Sequence, residues 1–214
     1  MVTFHIVTLF PKAFDSYLGV SILGRAIKNK KIAVKFYNPY DFGVGKWKKT
    51  DDRPYGGGPG LVQYALPILK AMERITKKKK AKIILFSPAG KQFTNTYAKT
   101  LSQKYKDIIL ISGRYEGIDA RVKKILKAEE VSIGDYVLTG GEVPAMVLID
   151  AISRQIPGVL GKEASIEENR ISSSEMYTRP EILEWKGKKY RVPKVLLTGD
   201  HKKIDAWRKK TGKK

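Results

Sequence analysis

Cysteine is absent from this 214-residue chain, and histidine occurs only at His5 and His201. Without Cys there is no disulfide, and two isolated His leave no zinc-ligand set. A Ser-His-Asp hydrolase would have to use one of those two. His5 falls on a predicted strand and reads as a satisfied core or edge histidine. No apolar run approaches the roughly 20 residues a bilayer span needs, so no membrane partner is expected. The start of the chain carries no charged leader or cleavage site, and no N-x-[ST] acceptor occurs. Together these absences agree with a cytoplasmic address. Neither G-x-x-x-x-G-K-[ST] nor G-x-G-x-x-G is present, which excludes the Walker loop and the dinucleotide fingerprint. Acid is scarce too: 21 Asp and Glu stand against 42 Lys and Arg, a net charge of +21. Such an excess repels itself unless the partner is anionic. Between residues 185 and 214 there are twelve Lys or Arg and two acids. Nucleic acid is the first reading of that handle; an anionic membrane surface or plain solubility are the others.

What is present is an alternation of apolar runs and helical periods. Residues 2–6 alternate as a strand, and 11–28 carry helical spacing (Phe14, Leu18, Ile22, Ile27) behind Pro11. Residues 32–37 read as a second strand. A polar, glycine-rich stretch over 38–60 is too long for an ordinary connection. Residues 63–75 are expected to be helical, with Pro67 early or at a kink. The run at 82–87 has the pattern of a buried parallel strand. Thr94 caps a helix reaching about Tyr105, 107–112 is another buried strand, and 118–127 is helical with Asp119 near its start. Val131 and Ile133 lie on a short strand before an apolar helix over 142–156. Residues 77–80 read as a solvated loop. This order predicts an α/β domain with a mainly parallel sheet. A ligand site belongs past the carboxyl ends of its strands, at 87–90, 112–117 and 133–141. The last two stretches are rich in glycine, which permits tight turns and close approach. Residues 163–175 are polar without apolar period and read as a linker. Beyond them a small basic module ends in a helix capped by Asp200 and carrying Ile204 and Trp207.

Five stretches carry a family resemblance: Asp51-Asp52-Arg53-Pro54-Tyr55-Gly56-Gly57-Gly58-Pro59-Gly60, Gly113-Arg114-Tyr115-Glu116-Gly117-Ile118-Asp119, residues 132–142, Ile156-Pro157-Gly158-Val159-Leu160-Gly161, and Tyr177-Thr178-Arg179-Pro180-Glu181. They resemble, in order, the bacterial tRNA (guanine-37-N1)-methyltransferases, the TrmD family of SPOUT methyltransferases. The resemblance implies an α/β sheet with a C-terminal trefoil knot and a small helical C-terminal domain. The implied division is a knotted S-adenosylmethionine-binding catalytic domain over 1–161, a flexible linker over 162–176 and a basic tRNA-binding domain over 177–214. It implies a homodimer with the active site across the interface. Backbone of Ile133, Gly134, Asp135, Tyr136, Val137 and Leu138 would hold the adenine and ribose. Gly113, Gly140 and Gly141 would give close approach, and the Tyr115, Ile133 and Leu138 side chains apolar walls. Ser87, Pro88, Gly90, Glu116 and Pro144 complete the expected cofactor set. Mg²⁺ is needed by some members; Glu116 or Asp119 could be its ligand, and no metal residue is assigned.

Ring nitrogen 1 of guanine carries a proton at neutral pH. Removing it pushes negative charge onto the adjacent carbonyl oxygen, so the chemistry asks for a carboxylate base and a cation at that oxygen. The resemblance gives the cation to Arg154, whose structural alternative is a surface pair with Asp150. The family's basic Asp falls on Asn169, after Glu163-Ala164-Ser165. An amide cannot take the proton. Three readings stay open: Glu168 is the base, Asn169 orients the guanine while the proton passes to water or Glu116, or turnover is weak or absent. In the basic module, Trp185 and Tyr190 could stack on bases, whereas Trp207 is assigned to packing.

Overall fold

The computed structural model describes residues 1–75, 80–161 and 175–212. Contacts divide the chain into Met1–Leu160 and Gly161–Lys214.

The first unit is built on five parallel strands: β1 (Val2–Val7), β2 (Ile32–Tyr37), β5 (Ala81–Gln92), β6 (Asp107–Ile111) and β7 (Glu129–Ser132), in the order β2-β1-β6-β5-β7. Alternate residues face opposite layers. Phe4, Ile6, Ile84, Ile108 and Leu110 join one apolar cluster, and Val7, Leu85, Ile109 and Ile111 join the other. The first layer is closed by α1 (Asp15–Leu18), α2 (Ser21–Lys28), α4 (Asn95–Lys104) and α6 (Glu142–Arg154); the second by α3 (Ala65–Glu73) and α5 (Ala120–Leu126). With both faces covered, the strands can be apolar throughout, which explains their unbroken runs.

His5 is buried in β1 between the Tyr37 hydroxyl and an Asp107 carboxylate oxygen, each 3.0 Å away, so it is a satisfied core histidine. Thr94 caps α4 by accepting from the Tyr97 N–H, and Asp119 caps α5 by accepting from the Arg121 N–H.

Several local expectations are corrected. The helix expected over 11–28 is a 3-10 turn (Pro11–Phe14) followed by α1 and α2. The break comes at Gly19, where a Cβ would lie 2.9 Å from the Asp15 carbonyl oxygen. Ile22, assigned to the buried face, is exposed; Leu23 takes its place. Gln63 belongs to a short strand, β4 (Val62–Gln63), antiparallel to β3 (Asp51–Asp52), and the helix starts two residues later with Pro67 in its first turn. The strand expected to end at Ser87 resumes at Lys91, because Phe86 and Lys91 both pair with Val131 and the residues between them loop out. The loop at 77–80 falls mainly outside the described residues, as do residues 162–174 of the linker.

The described part of the second unit is not purely helical. It contains an antiparallel hairpin, β8 (Ile182–Trp185) with β9 (Lys188–Arg191), a 3-10 turn (Lys194–Leu197) and α7 (His201–Thr211). Asp200 caps α7 through the Lys203 N–H. Ile204 is buried, and the half-buried Trp207 packs 6.3 Å from the Tyr177 ring. The hairpin escaped periodicity because its strands, Ile-Leu-Glu-Trp and Lys-Lys-Tyr-Arg, have no buried residue to mark one face. Trp185 and Tyr190 are exposed on it.

Candidate cofactor pocket at the carboxyl edge of the sheet

A cavity of about 420 Å³ opens past the carboxyl ends of β5, β6 and β7, within the usual size of a small-molecule site. From the loop after Phe86 it takes Ser87 and Pro88, and from the loop after β6 it takes Gly113, Tyr115 and Glu116. The stretch after β7 supplies Ile133, Gly134, Tyr136, Val137 and Leu138, and the start of α6 supplies Gly140, Gly141 and Pro144. Two residues of the expected set do not line it. Gly90 is packed on β7, where a Cβ would fall 2.6 Å from the Val131 nitrogen. Asp135 is also outside the wall. Leu85, Phe86, Arg114, Gly117, Ile118, Glu130, Val131 and Ser132 also line the cavity; Arg114, Gly117, Ile118 and Ser132 lie within the stretches 113–119 and 132–142 that carry the family resemblance, and the others are residues of β5 and β7 that the glycine signal does not mark.

The glycines of the site also pack protein against protein. A Cβ on Gly141 would lie 2.6 Å from the Ser112 Cα, and one on Gly140 2.5 Å from Arg114 Nε. A Cβ on Gly134 would lie 2.2 Å from the Tyr136 ring. These glycines let two loops press together and let one turn close on itself, and Gly113, Gly134, Gly140 and Gly141 also line the cavity. The loops are stitched by Gly141 N–H donating to the Gly113 carbonyl (2.9 Å) and by the Ser112 hydroxyl donating to the Gly141 carbonyl (3.1 Å). Ser132 and Gly134 hydrogen-bond each other in the β7 turn. The result is a wall of preset backbone.

Behind this wall lies an ion pair. Glu142 is 3% exposed; one carboxylate oxygen accepts from the Thr8 hydroxyl at 2.8 Å and the other lies 2.9 Å from Arg114 Nε. The Arg114 guanidinium stacks 4.6 Å from the Phe10 ring centroid, and one of its N–H groups donates to the Thr139 carbonyl at 3.3 Å. One side chain thus joins the ends of β1, β6 and the post-β7 stretch. Gln63 ties in the long loop: its side-chain oxygen accepts from Arg114 N–H (3.2 Å), its N–H donates to the Gly117 carbonyl and its carbonyl accepts from Asp119 N–H (both 3.0 Å). Thr8, Gln63 and Glu142 were not legible as site residues. A buried Glu directly after Gly-Gly at the start of an apolar helix was the one available signal.

Asp119 is committed to its cap. Its hydrogen bond with the Arg121 guanidinium holds its carboxyl below the usual carboxylate range, against partial burial. A depressed carboxyl stabilises the fold above its unfolded value and stops doing so as pH falls through its folded value. Asp119→Ala should therefore cost about 1 kcal/mol near pH 7. The difference from wild type in thermal melts should vanish once pH drops well below about 4. Among the described residues no group of three or more His, Asp or Glu could hold a metal ion.

Arg154 is the last residue of α6 and does not line the cavity, whose wall takes the other end of that helix. A helix of 13 residues separates its ends by about 18 Å at 1.5 Å per residue. Asp150, four residues before Arg154, accepts from the Tyr17 hydroxyl, which holds that phenol above its usual range. Glu168 and Asn169 lie outside the described residues.

A parallel sheet with a cavity at its carboxyl edge, walled by loop backbone and apolar rings, defines the class of α/β proteins whose small-ligand sites lie at that edge. Residues 2–214 match the family model described as tRNA (Guanine-1)-methyltransferase TrmD, and the chain belongs to that family. It is 46% identical over 213 residues to the tRNA (guanine-N(1)-)-methyltransferase of Pseudoalteromonas atlantica, covering 97% of this chain and 78% of the relative. With the protein of the same name from Clostridioides difficile it shares 47% over 213 residues, covering 96% and 90%. With that of Carboxydothermus hydrogenoformans it shares 48% over 209 residues, covering 96% and 80%. Among the described residues no helix is long and apolar enough to cross a membrane.

Proposed function

We propose that this chain transfers a methyl group from S-adenosylmethionine to ring nitrogen 1 of guanine 37 in tRNA. Family membership supports the reaction, and the cavity of preset backbone supports the cofactor. Its apolar rim suits an adenine, and the carbonyls and N–H groups of residues 133–138 suit its edge and the ribose. The sulfonium group supplies the reactive methyl carbon. The trefoil knot is part of the proposal, supported by the mutual packing of 112–117 and 133–141. So is a cytoplasmic address.

In this reading the chain's own groups do three things. Glu168 takes the proton from ring nitrogen 1, since the amide of Asn169 cannot; Asn169 hydrogen-bonds the guanine edge. Arg154 holds the negative charge that develops on the guanine carbonyl oxygen. The nitrogen lone pair then forms the new bond to the methyl carbon, and the sulfur keeps the electrons of the bond that breaks. Because α6 carries Arg154 about 18 Å from the cavity end, the proposal requires a second copy to deliver it, as a homodimer with the site at its interface. The basic module, with Trp185 and Tyr190 on its hairpin, grips the anticodon arm. Mg²⁺ is proposed only at Glu116, because Asp119 is held by Arg121.

The test is methyl transfer to unmodified tRNA with guanine at position 37. Wild type should form product, Glu168→Gln should lose about 100-fold or more in rate, and Asn169→Asp should change it far less. No product with wild type refutes the function. A large gain with Asn169→Asp beside an unaffected Glu168→Gln refutes the assignment of the base.

A further inference from the structure

The long loop after β2 carries a second surface that the cavity does not use. Val44 and Lys49 exchange both backbone hydrogen bonds, at 2.8 and 3.0 Å, closing a tight tip between them. Gly45 and Lys48 sit in the left-handed region, at φ +72° and +49°. A Cβ on Gly43 would fall 2.2 Å from the Lys48 carbonyl oxygen, so the tip is folded back onto its own base. At its apex Trp47 is 79% exposed. Lys46 Nζ lies 5.9 Å from the Trp47 ring centroid, and Lys48 Nζ lies 5.7 Å from that of the exposed Tyr40. Residues 43–50 hold three lysines and no acid. A single exposed aromatic is ordinary. An open indole flanked by lysines on a built turn is the combination that binds unpaired nucleotides, with stacking on the ring and phosphates on the ammonium groups.

The tip is also wired to the cavity. It leads directly into β3, which pairs with β4 through Asp51–Gln63 and Asp52–Val62, and Gln63 is bonded to the backbone of Arg114 and Gly117. Asp52 is held in place by the Tyr64 hydroxyl at 2.6 Å. A polyanion engaged at the cavity mouth therefore has a cationic stacking platform on the same stretch of backbone.

We propose that the tip formed by Lys46, Trp47, Lys48 and Lys49 is an RNA-contacting surface of Met1–Leu160, separate from the basic module and from the methylated base. Trp47 stacks on an unpaired nucleotide and the lysines neutralise neighbouring phosphates. This inference rests on the reading that the substrate is tRNA. Because none of the tip residues lines the cavity, the contact governs capture and not the chemical step.

The test compares the full-length wild type with Trp47→Ala and with a combined Lys46→Ala, Lys48→Ala, Lys49→Ala variant. Unmodified tRNA is titrated across a salt series, with donor titration and sedimentation run in parallel. Trp47→Ala should raise the Kd for tRNA about tenfold. The lysine variant should flatten the slope of log K against log salt by about two. KM for tRNA should rise in both, while kcat at saturating tRNA and donor affinity stay unchanged. If wild type methylates tRNA and both variants keep its affinity and slope, this inference is overturned and the function stands. If wild type fails to bind tRNA at all, the functional reading falls and takes this inference with it. If Trp47→Ala instead lowers the sedimenting mass with RNA affinity intact, the surface belongs to a second copy of the chain and the inference is again overturned.

Discussion

Gly141→Ala should cut methyl transfer by about 100-fold or more, the penalty for misplacing a reacting group by about 1 Å, and lower Tm by roughly 5 °C. Gly141 has ordinary helical dihedrals, φ −84° and ψ −1°, so backbone freedom is not why glycine stands there. The reason is space. The added methyl would sit 2.6 Å from the Ser112 Cα and 3.0 Å from the Gly113 nitrogen. Both are backbone atoms that cannot rotate away. The post-β7 stretch must then lift off the 112–117 loop, and the Gly141 N–H to Gly113 carbonyl bond opens with it. Gly57→Ala is the contrasting control. Gly57 sits at φ +80° with nothing within 4 Å of a built Cβ. That substitution meets no neighbour and costs about 1 kcal/mol of local backbone strain, with transfer close to wild type. Equal damage from the two would mean that loop packing is not what shapes the cavity.

Arg114→Ala should destabilise the chain by about 3 kcal/mol, the lower end for breaking a buried pair because the arginine is partly solvated. Tm should fall by about 6–12 °C for a domain of this size. Glu142 is only 3% exposed, and the substitution removes the cation beside its carboxylate, which then keeps the Thr8 hydroxyl bond alone to offset its buried charge. It also removes the support of the Thr139 carbonyl and the cover over the Phe10 ring. Glu142→Gln keeps an acceptor for Thr8 and carries no stranded charge, so its loss should be clearly smaller. A double-mutant cycle over the two positions measures their coupling. Additive losses would show that the pair contributes nothing jointly.

The strands and the caps were legible because they answer to local rules. Unbroken apolar runs at 82–87 and 107–112 are what a doubly covered parallel strand requires, and Thr94, Asp119 and Asp200 each precede a helix whose first N–H groups need an acceptor. The cavity was located correctly from the same reasoning, since loops at the carboxyl edge of such a sheet converge. What escaped were facts about pairs distant in sequence. That Gly141 is needed against Ser112, and Gly90 against β7, depends on which loops touch, and no periodicity encodes that. Thr8, Gln63 and Glu142 are polar residues whose partners lie more than fifty positions away. The hairpin of the basic module hid for the opposite reason: both its faces are solvated, so the alternation that marks a half-buried strand is missing.

The cavity as a methyl-donor site is tested most directly by calorimetric titration of the purified, folded chain with S-adenosylmethionine and, separately, with its demethylated product. A saturable isotherm with each is expected, and the two should compete for one site. A flat titration with both would contradict the assignment of the carboxyl-edge cavity.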